Sequence, residues 1–338
     1  MPLIGKQTWQ FDSKPVLQGT GVIVGPREGK GPLAMDFDEI NEDAYFGQES
    51  WEKAERRFLE EAVQIAMRKA NVTREQIDVM FAGDLLNQII TANFSARTLA
   101  VPFLGLFGAC STSMEGLALA ALTVDSGFAT HAIAATASHN STAERQFRYP
   151  TEYGGQKPPS AQCTVTGGAA AIVSKSGLGP RITHATIGKV VDFGIKNPFE
   201  MGPAMAPAAA DTIWRHFQDT GRTVDEYDLI VTGDLARVGH PLAAELLEEQ
   251  GLYLGDKFKD CGILIFDPDQ PEVFSGGSGC ACCGVVTFGH LMRRMQQGEF
   301  GRILVCATGA LLSPLSSQQG ESIPCVAHAV VIERGSET

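Results

Sequence analysis

Apolar runs and polar breaks alternate along this chain in a strand–helix rhythm. Val16, Leu17, Val22, Ile23 and Val24, punctuated by Gly19, Gly21 and Gly25, predict a strand over 16–25. The polar residues before it read as an extended arm, and 26–47, rich in Gly, Pro and acid, as a long excursion. Ser50 suits a helix N-cap. Phe58, Ala62, Ile65, Ala66 and Lys69 then share one helical face to about Ala70, and Asn71 suits the C-terminal end. Residues 77–85 predict a buried strand ending Gly83-Asp84, and 87–100 a short helix. The run 117–124 is uninterrupted by Pro or Lys, and its small Ala118, Ala120 and Ala121 suit a helix buried on all sides. A strand over 131–137 ends at Ser138-His139-Asn140. Residues 141–160 read as loop, and 163–174 open a strand pair whose Gly167-Gly168 lets backbone approach closely.

The pattern then starts again. Residues 181–191 resemble the first strand, and 208–219 are helical. Residues 227–235 echo 77–85, with Gly83-Asp84-Leu85 returning as Gly233-Asp234-Leu235. Ser278-Gly279-Cys280 precedes a second apolar helix ending near Met295. Residues 298–309 match 127–137, and 324–332 repeat the Cys163 strand. Elements returning in one order predict an internal duplication into halves 1–178 and 179–338, divided near 177–180. Apolar strands alternating with helices imply α/β halves with mostly parallel sheets covered on both faces.

The chain has 338 residues, 44% hydrophobic and 20% charged, a globular composition long enough for two such units. A net charge of −12 argues against nucleic acid and against charge-driven binding to anionic lipid. No apolar run is long enough to span a membrane, and the first residues lack the apolar core of an export signal, so a soluble chain is expected. Its eight cysteines are therefore expected as thiols. Cys280, Cys282 and Cys283 cluster, but no second Cys or His pair stands at metal-ligand spacing, so no metal site is expected.

One stretch carries candidate chemistry: Phe107-Gly108-Ala109-Cys110-Ser111-Thr112-Ser113-Met114-Glu115-Gly116. A cysteine at the start of a buried helix faces unpaired N–H groups and the positive end of the helix dipole, which favour the thiolate. A small buried core cysteine is the alternative reading.

Two duplicated α/β halves with a cysteine opening the buried helix of the first resemble the thiolase-like condensing enzymes, over nearly the whole chain. The resemblance implies a five-layered α-β-α-β-α fold and a homodimer paired through the first half. It also implies that Cys110 occupies the place of an acyl-accepting nucleophile, assisted by His with Asn or a second His from the second half. The sequence departs from that pattern. After the strand ending Val231-Thr232-Gly233, the ionisable group is Asp234; His240 stands six residues on. Ser275 to Cys280 holds neither Asn nor His, and Ala327-His328 follows Cys325 where the family carries glycines. Without a placed base or oxyanion donor, acyl transfer from Cys110 should be badly impaired.

Trp9-Gln10-Phe11, the Cys110 stretch, residues 137–150 and Cys280-Ala281-Cys282-Cys283 resemble a sporulation branch of that family. This implies binding of dipicolinic acid (pyridine-2,6-dicarboxylate), with or without calcium, and uptake of it into the developing spore. It also implies other membrane-associated stage V sporulation proteins as partners, and a peripheral position at the forespore or spore inner membrane. An active condensing enzyme acylated on Cys110 is the alternative, and a scaffold with a vestigial pocket a third.

A flat aromatic dianion needs N–H donors or cations for two carboxylates and an apolar slot for its ring. The candidate ligand-binding residues are Cys110, at a helix start able to face an anion, Gly277 and Ser278 before the second buried helix, His139, His328, Asp84 and Asp234. His139 is alternatively a loop-packing residue and His328 a satisfied strand histidine. Of the two aspartates, Asp84 is placed nearer the ligand, because it lies in the cysteine's own half; both are alternatively caps of neighbouring turns. Arg145 and Arg148 could pair with an anion or be solvated. Residues 197–210 read as a packed loop, with a lining of the pocket mouth as the alternative, and Cys282 and Cys283 as core.

Overall fold

A computed structural model describes residues 2–147 and 157–335. Arg148 and the expected loop signals at 149–150 and 154–155 lie outside the described residues.

In the first half, β1 (Val16–Val24), β2 (Val79–Gly83), β3 (Phe103–Gly105), β4 (His131–Ser138) and β5 (Gly167–Ser174) lie side by side in the order β1-β5-β4-β2-β3. The second half has β6 (Arg181–Ile187), β7 (Leu229–Thr232), β8 (Phe258–Asp260), β9 (Arg302–Ala310) and β10 (Cys325–Glu333), in the order β6-β10-β9-β7-β8. The two orders are the same, strand for strand. Each half is mixed rather than mostly parallel: β2 runs parallel to β3 and β4, and β7 to β8 and β9, whereas β5 and β10 run antiparallel to both neighbours. A single residue pair, Arg181 with Val16, joins the halves at β6 and β1.

Strand alternation sorts the core into layers. Ile133, Ala135, Ala170 and Ile172 turn outward to α1 (Trp51–Ala70) and α2 (Ile90–Leu99). Ala132, Ala134, Ala169 and Ala171 turn inward, onto α3 (Thr112–Asp125) and α7 (Cys280–Val285). Those two central helices also meet Val231, Val305, Val330 and Ile332 of the second sheet, whose outer face packs on α5 (Met201–Thr220) and α6 (Ala236–Glu249). The result is five layers, α-β-α-β-α. The central pair sits between two sheets, and small residues such as Ala118, Ala120, Ala121, Cys282 and Cys283 let it pack there. Helix α7 runs on through a π-helical turn, Val286–Leu291, into α8 (Met292–Gln296).

The Ser50 side chain accepts the Lys53 N–H, and Asn71 closes α1 in the left-handed conformation, as expected. Two expectations are corrected. Part of the expected 141–160 loop is α4 (Asn140–Phe147), whose first turn is held by Thr142 Oγ1 and the Ala143 N–H bonding to the His139 carbonyl. Helix α5 begins at Met201, inside the expected 197–210 loop, and carries Pro207 within it. Proline disfavours a helix interior, but Met205, Ala208, Ala209 and Ile213 bury one face against the second sheet and hold it.

Candidate functional site

The site begins with a strained turn. Ala109 sits at φ +50°, an uncommon conformation for a residue with a side chain, and swings Cys110 to the opening turn of α3. Ser111 Oγ donates to the Gly108 carbonyl at 2.6 Å, and Thr112 Oγ1 donates to the Ala109 carbonyl at 2.7 Å, so the turn is locked by its own side chains. From the second half, Gly309 at the end of β9 packs flat on this turn. A Cβ there would run into the Gly108 carbonyl oxygen.

Cys110 lies in the wall of a cavity with Leu85, Phe107, Phe147, Thr164, Met201, Ser278 and Leu312. The space open to water is about 30 Å³, enough for a water or two and too narrow for an aromatic ring as it stands. Among the described residues no charged side chain lines it. Phe107 is 48% exposed and stands at the mouth, where its movement would widen the slot.

Behind the thiol stands Asp234, in the turn after β7. One carboxylate oxygen accepts Thr308 Oγ1 at 2.6 Å and the other accepts the Gly279 N–H at 2.9 Å; the Cys110 thiol hydrogen-bonds to the same group. Burial pushes the Asp234 carboxyl up to about 7 against the pull of these three donors. Burial also pushes the Cys110 thiol well above its ordinary value, and the Asp234 carboxylate beside it pushes further, while the Gly279 N–H pulls the other way. The helix start therefore loses, and Cys110 is a thiol at neutral pH.

The other candidates separate. Ser278 is on the cavity wall; Gly277 is behind it, paired with Cys163 and packed toward Ile265 and Cys282. Asp84 accepts the N–H groups of Leu86 and Ala92, each at 2.8 Å, and so caps the turn into α2 rather than facing the cavity. Its neighbour Glu55, held by Thr142, is pushed up by burial and then by the Asp84 charge. His139 is fully engaged: one ring nitrogen meets the Ala44 carbonyl at 2.8 Å, the other accepts the Ser141 N–H at 3.1 Å, and burial lowers its pKa. His328 accepts the Gly188 N–H at 3.3 Å, and burial lowers it to about 4, so it carries no charge at neutral pH; neither histidine is on the cavity wall. His240 lies in α6, stacked on Phe258. Arg145 pairs with Glu52 and lies over Trp51.

Sequence reasoning passed over Thr308, Thr164 and the ring residues Phe107 and Phe147. Thr308 carried no signal from the repeat, since by strand register it stands where β4 has Ala137. The aromatic wall had none either, because its members come from separate elements. Among the described residues no group of three or more His, Cys, Asp or Glu is arranged to hold a metal ion.

Residues 5–333 match the family model of stage V sporulation protein AD. Stage V sporulation protein AD of Bacillus subtilis (strain 168) is 55% identical over 334 residues, covering 99% of this chain and 98% of that one. Among solved structures, 3-oxoacyl-[acyl-carrier-protein] synthase III from Aquifex aeolicus VF5 is similar with a TM-score of 0.58 at 17% identity, over 94% of this chain and 99% of its own. Cerulenin-bound OleA of Xanthomonas campestris is similar with a TM-score of 0.62 at 15% identity, over 98% and 100%. At such identities these two neighbours speak for the fold alone, which is the thiolase-like one.

Proposed function

The chain belongs to the stage V sporulation protein AD family, and from that footing we propose that it binds dipicolinic acid at the Cys110 cavity, without turnover, and serves dipicolinate uptake into the developing spore. The observation that carries the absence of turnover is the Asp234–Cys110 pair. A condensing enzyme needs a thiolate at the head of this helix; here burial, and after it the Asp234 carboxylate, holds the proton on sulfur. The cavity outlives the nucleophile.

The walls support a flat ring. Phe107, Phe147, Leu85 and Leu312 offer apolar surface, and the hydroxyls of Thr164 and Ser278 with the first N–H groups of α3 offer donors to carboxylate oxygens. Entry requires the rings at the mouth to part. Calcium, where it enters, travels with the ligand as its chelate. A homodimer through the first half is supported by β3, a strand at the sheet edge whose Leu104 is 56% exposed, with exposed Ile90, Phe94 and Phe107 around it. Among the described residues no helix is long and apolar enough to cross a membrane. The protein therefore reaches the forespore or spore inner membrane through other stage V sporulation proteins.

Calorimetric titration with dipicolinate, with and without calcium, tests the reading on wild type and on Cys110→Ala. Saturable binding that weakens about tenfold in the variant, one lost donor in a closed site, is expected. No binding by wild type sinks it. An acyl adduct on Cys110 after incubation with acyl-CoA, seen by mass spectrometry, would make the protein a condensing enzyme instead.

A further inference from the structure

Among the described residues, the carboxylate nearest the cavity, Asp234, has no cation beside it. From the Cys110 turn the thiol faces Asp234; from α7 come Cys280, Cys282 and the Gly279 N–H; from β9, Thr308; from β10, Cys325. From the end of β8 comes a second carboxyl, Asp260, already engaged by Thr232 and by the Leu235 and Ala236 N–H groups. His240, next to Asp260, has its pKa lowered by burial. Beyond Cys280 lie Asp84 and Glu55, two more acids. An anion against Cys110 thus meets negative neighbours with neutral donors between. Two unit charges about 6 Å apart at an effective dielectric of about 20 weaken binding on the order of a hundredfold.

We propose, on the reading of this cavity as a carboxylate-ligand site, that Asp234 selects the charge form that binds: an anion settles against Cys110 only together with one proton held on Asp234, whereas a neutral ligand needs none. The hydrogen bonds suit both states. Ionised, Asp234 accepts from Thr308, Gly279 and Cys110. Protonated, it still accepts the Gly279 N–H and turns its O–H toward Thr308 Oγ1 or Cys110 Sγ, each of which accepts as well as donates. The change displaces at most one donor, the Thr308 hydroxyl or the weakly donating Cys110 thiol, and Thr308 Oγ1 goes on accepting the Asp234 N–H at 3.2 Å. The carboxyl titrates at about 7, so the exchange falls where the ligand's own carboxyls are already ionised. The same geometry places a proton-free anion at a disadvantage that grows with pH and then levels off.

Two measurements test this. The first is calorimetry of dipicolinate binding at pH 6 to 8.5 in buffers of different ionisation enthalpy, alongside the neutral pyridine-2,6-dicarboxamide. The expected result at pH 8 is uptake of about one proton per dipicolinate, with affinity falling up to tenfold per pH unit above about 7, and neither effect for the diamide. Asp234→Asn flattens the dipicolinate profile, Asp84→Asn leaves it, and Thr308→Val, which removes a donor to the carboxylate, moves its onset upward. The second does not depend on dipicolinate: the ratio of Cys110 alkylation by iodoacetate to that by iodoacetamide, read by mass spectrometry. Thiolate content cancels in the ratio, which should drop severalfold or more between pH 6 and 8 in wild type and stay level in Asp234→Asn. A level ratio in wild type, dipicolinate binding without proton uptake, or a pH profile that survives Asp234→Asn or moves with Asp84→Asn overturns the proposal. A falling ratio with no dipicolinate binding at any pH leaves Asp234's selection standing and removes the dipicolinate reading.

Discussion

Asp84 and Asp234 close matching strands of the two halves, yet one carboxylate holds the fold and the other faces the site. Asp84 accepts two backbone N–H groups and anchors the turn that leads into α2, where Gln88 and Ile89 both adopt positive φ. In the second half the equivalent turn is anchored from a different strand. Asp260, at the end of β8, accepts the N–H groups of Leu235 and Ala236 together with the Thr232 hydroxyl and the Ile263 N–H. The capping task has moved one strand along, and Asp234 is thereby released toward Cys110. A duplicated fold can free a residue for function when another takes over its structural duty.

The largest expected effect breaks the structural side of that comparison. Asp84→Ala strands two buried N–H groups and should cost about 2–4 kcal/mol, read from the urea midpoint at unchanged m-value. Asp260→Ala, which strands more donors, should cost at least as much. Asp234→Ala should cost less than either, because it strands one backbone N–H, that of Gly279, while a hydroxyl and a thiol can turn to other partners. Equal losses at Asp84 and Asp234 would show that the two aspartates do the same job.

Asp234→Asn sharpens the other side. Without the carboxylate the Cys110 thiol loses a charge that opposes ionisation, so iodoacetamide should alkylate it about tenfold faster at pH 8. Stability should respond with a definite sign. A carboxyl raised in the folded state to about 7 binds more protons than in the unfolded chain, so its contribution is full below about pH 4 and is lost as pH rises to 7. The variant should therefore gain on wild type by on the order of 2–3 kcal/mol between pH 5 and pH 8. A difference that stays constant with pH would mean that Asp234 titrates normally.

The layered fold was legible because its signals are local or periodic. Glycine-bounded apolar runs marked strands, small residues marked the central helices, and the return of Gly-Asp-Leu after a strand exposed the repeat. The reading erred where a polar surface hid a short helix, at Asn140–Phe147, and where prolines masked the start of α5. Cys110 could be found because a buried helix start is written in consecutive residues. The partner of its thiol could not. Sequence nearness placed Asp84 closer to the ligand, since it shares a half with Cys110, but the central helices are crossed by strand ends from the opposite half. Nothing local announces that Asp260, downstream, takes over a cap and leaves Asp234 free.

The smallest effect concerns the two histidines. His139 uses both ring nitrogens on backbone groups and packs near Phe58, so His139→Ala opens a gap and strands the Ala44 carbonyl and Ser141 N–H. A loss of about 1–3 kcal/mol is expected. His328 makes one long bond, from the Gly188 N–H, and is neutral above about pH 5 because burial lowers it to about 4. The Gln side chain can keep that acceptor, so His328→Gln should cost well under about 1 kcal/mol. Neither change touches the cavity wall, and both should leave dipicolinate affinity within about twofold. Thermal unfolding with and without dipicolinate reads both quantities at once, since ligand bound to the native state raises the midpoint by its own increment. If His328→Gln abolishes that increment while the unliganded midpoint stays put, the strand histidine acts in the site despite its neutral charge, and the donors to the anion must be sought on β10 rather than at the starts of α3 and α7.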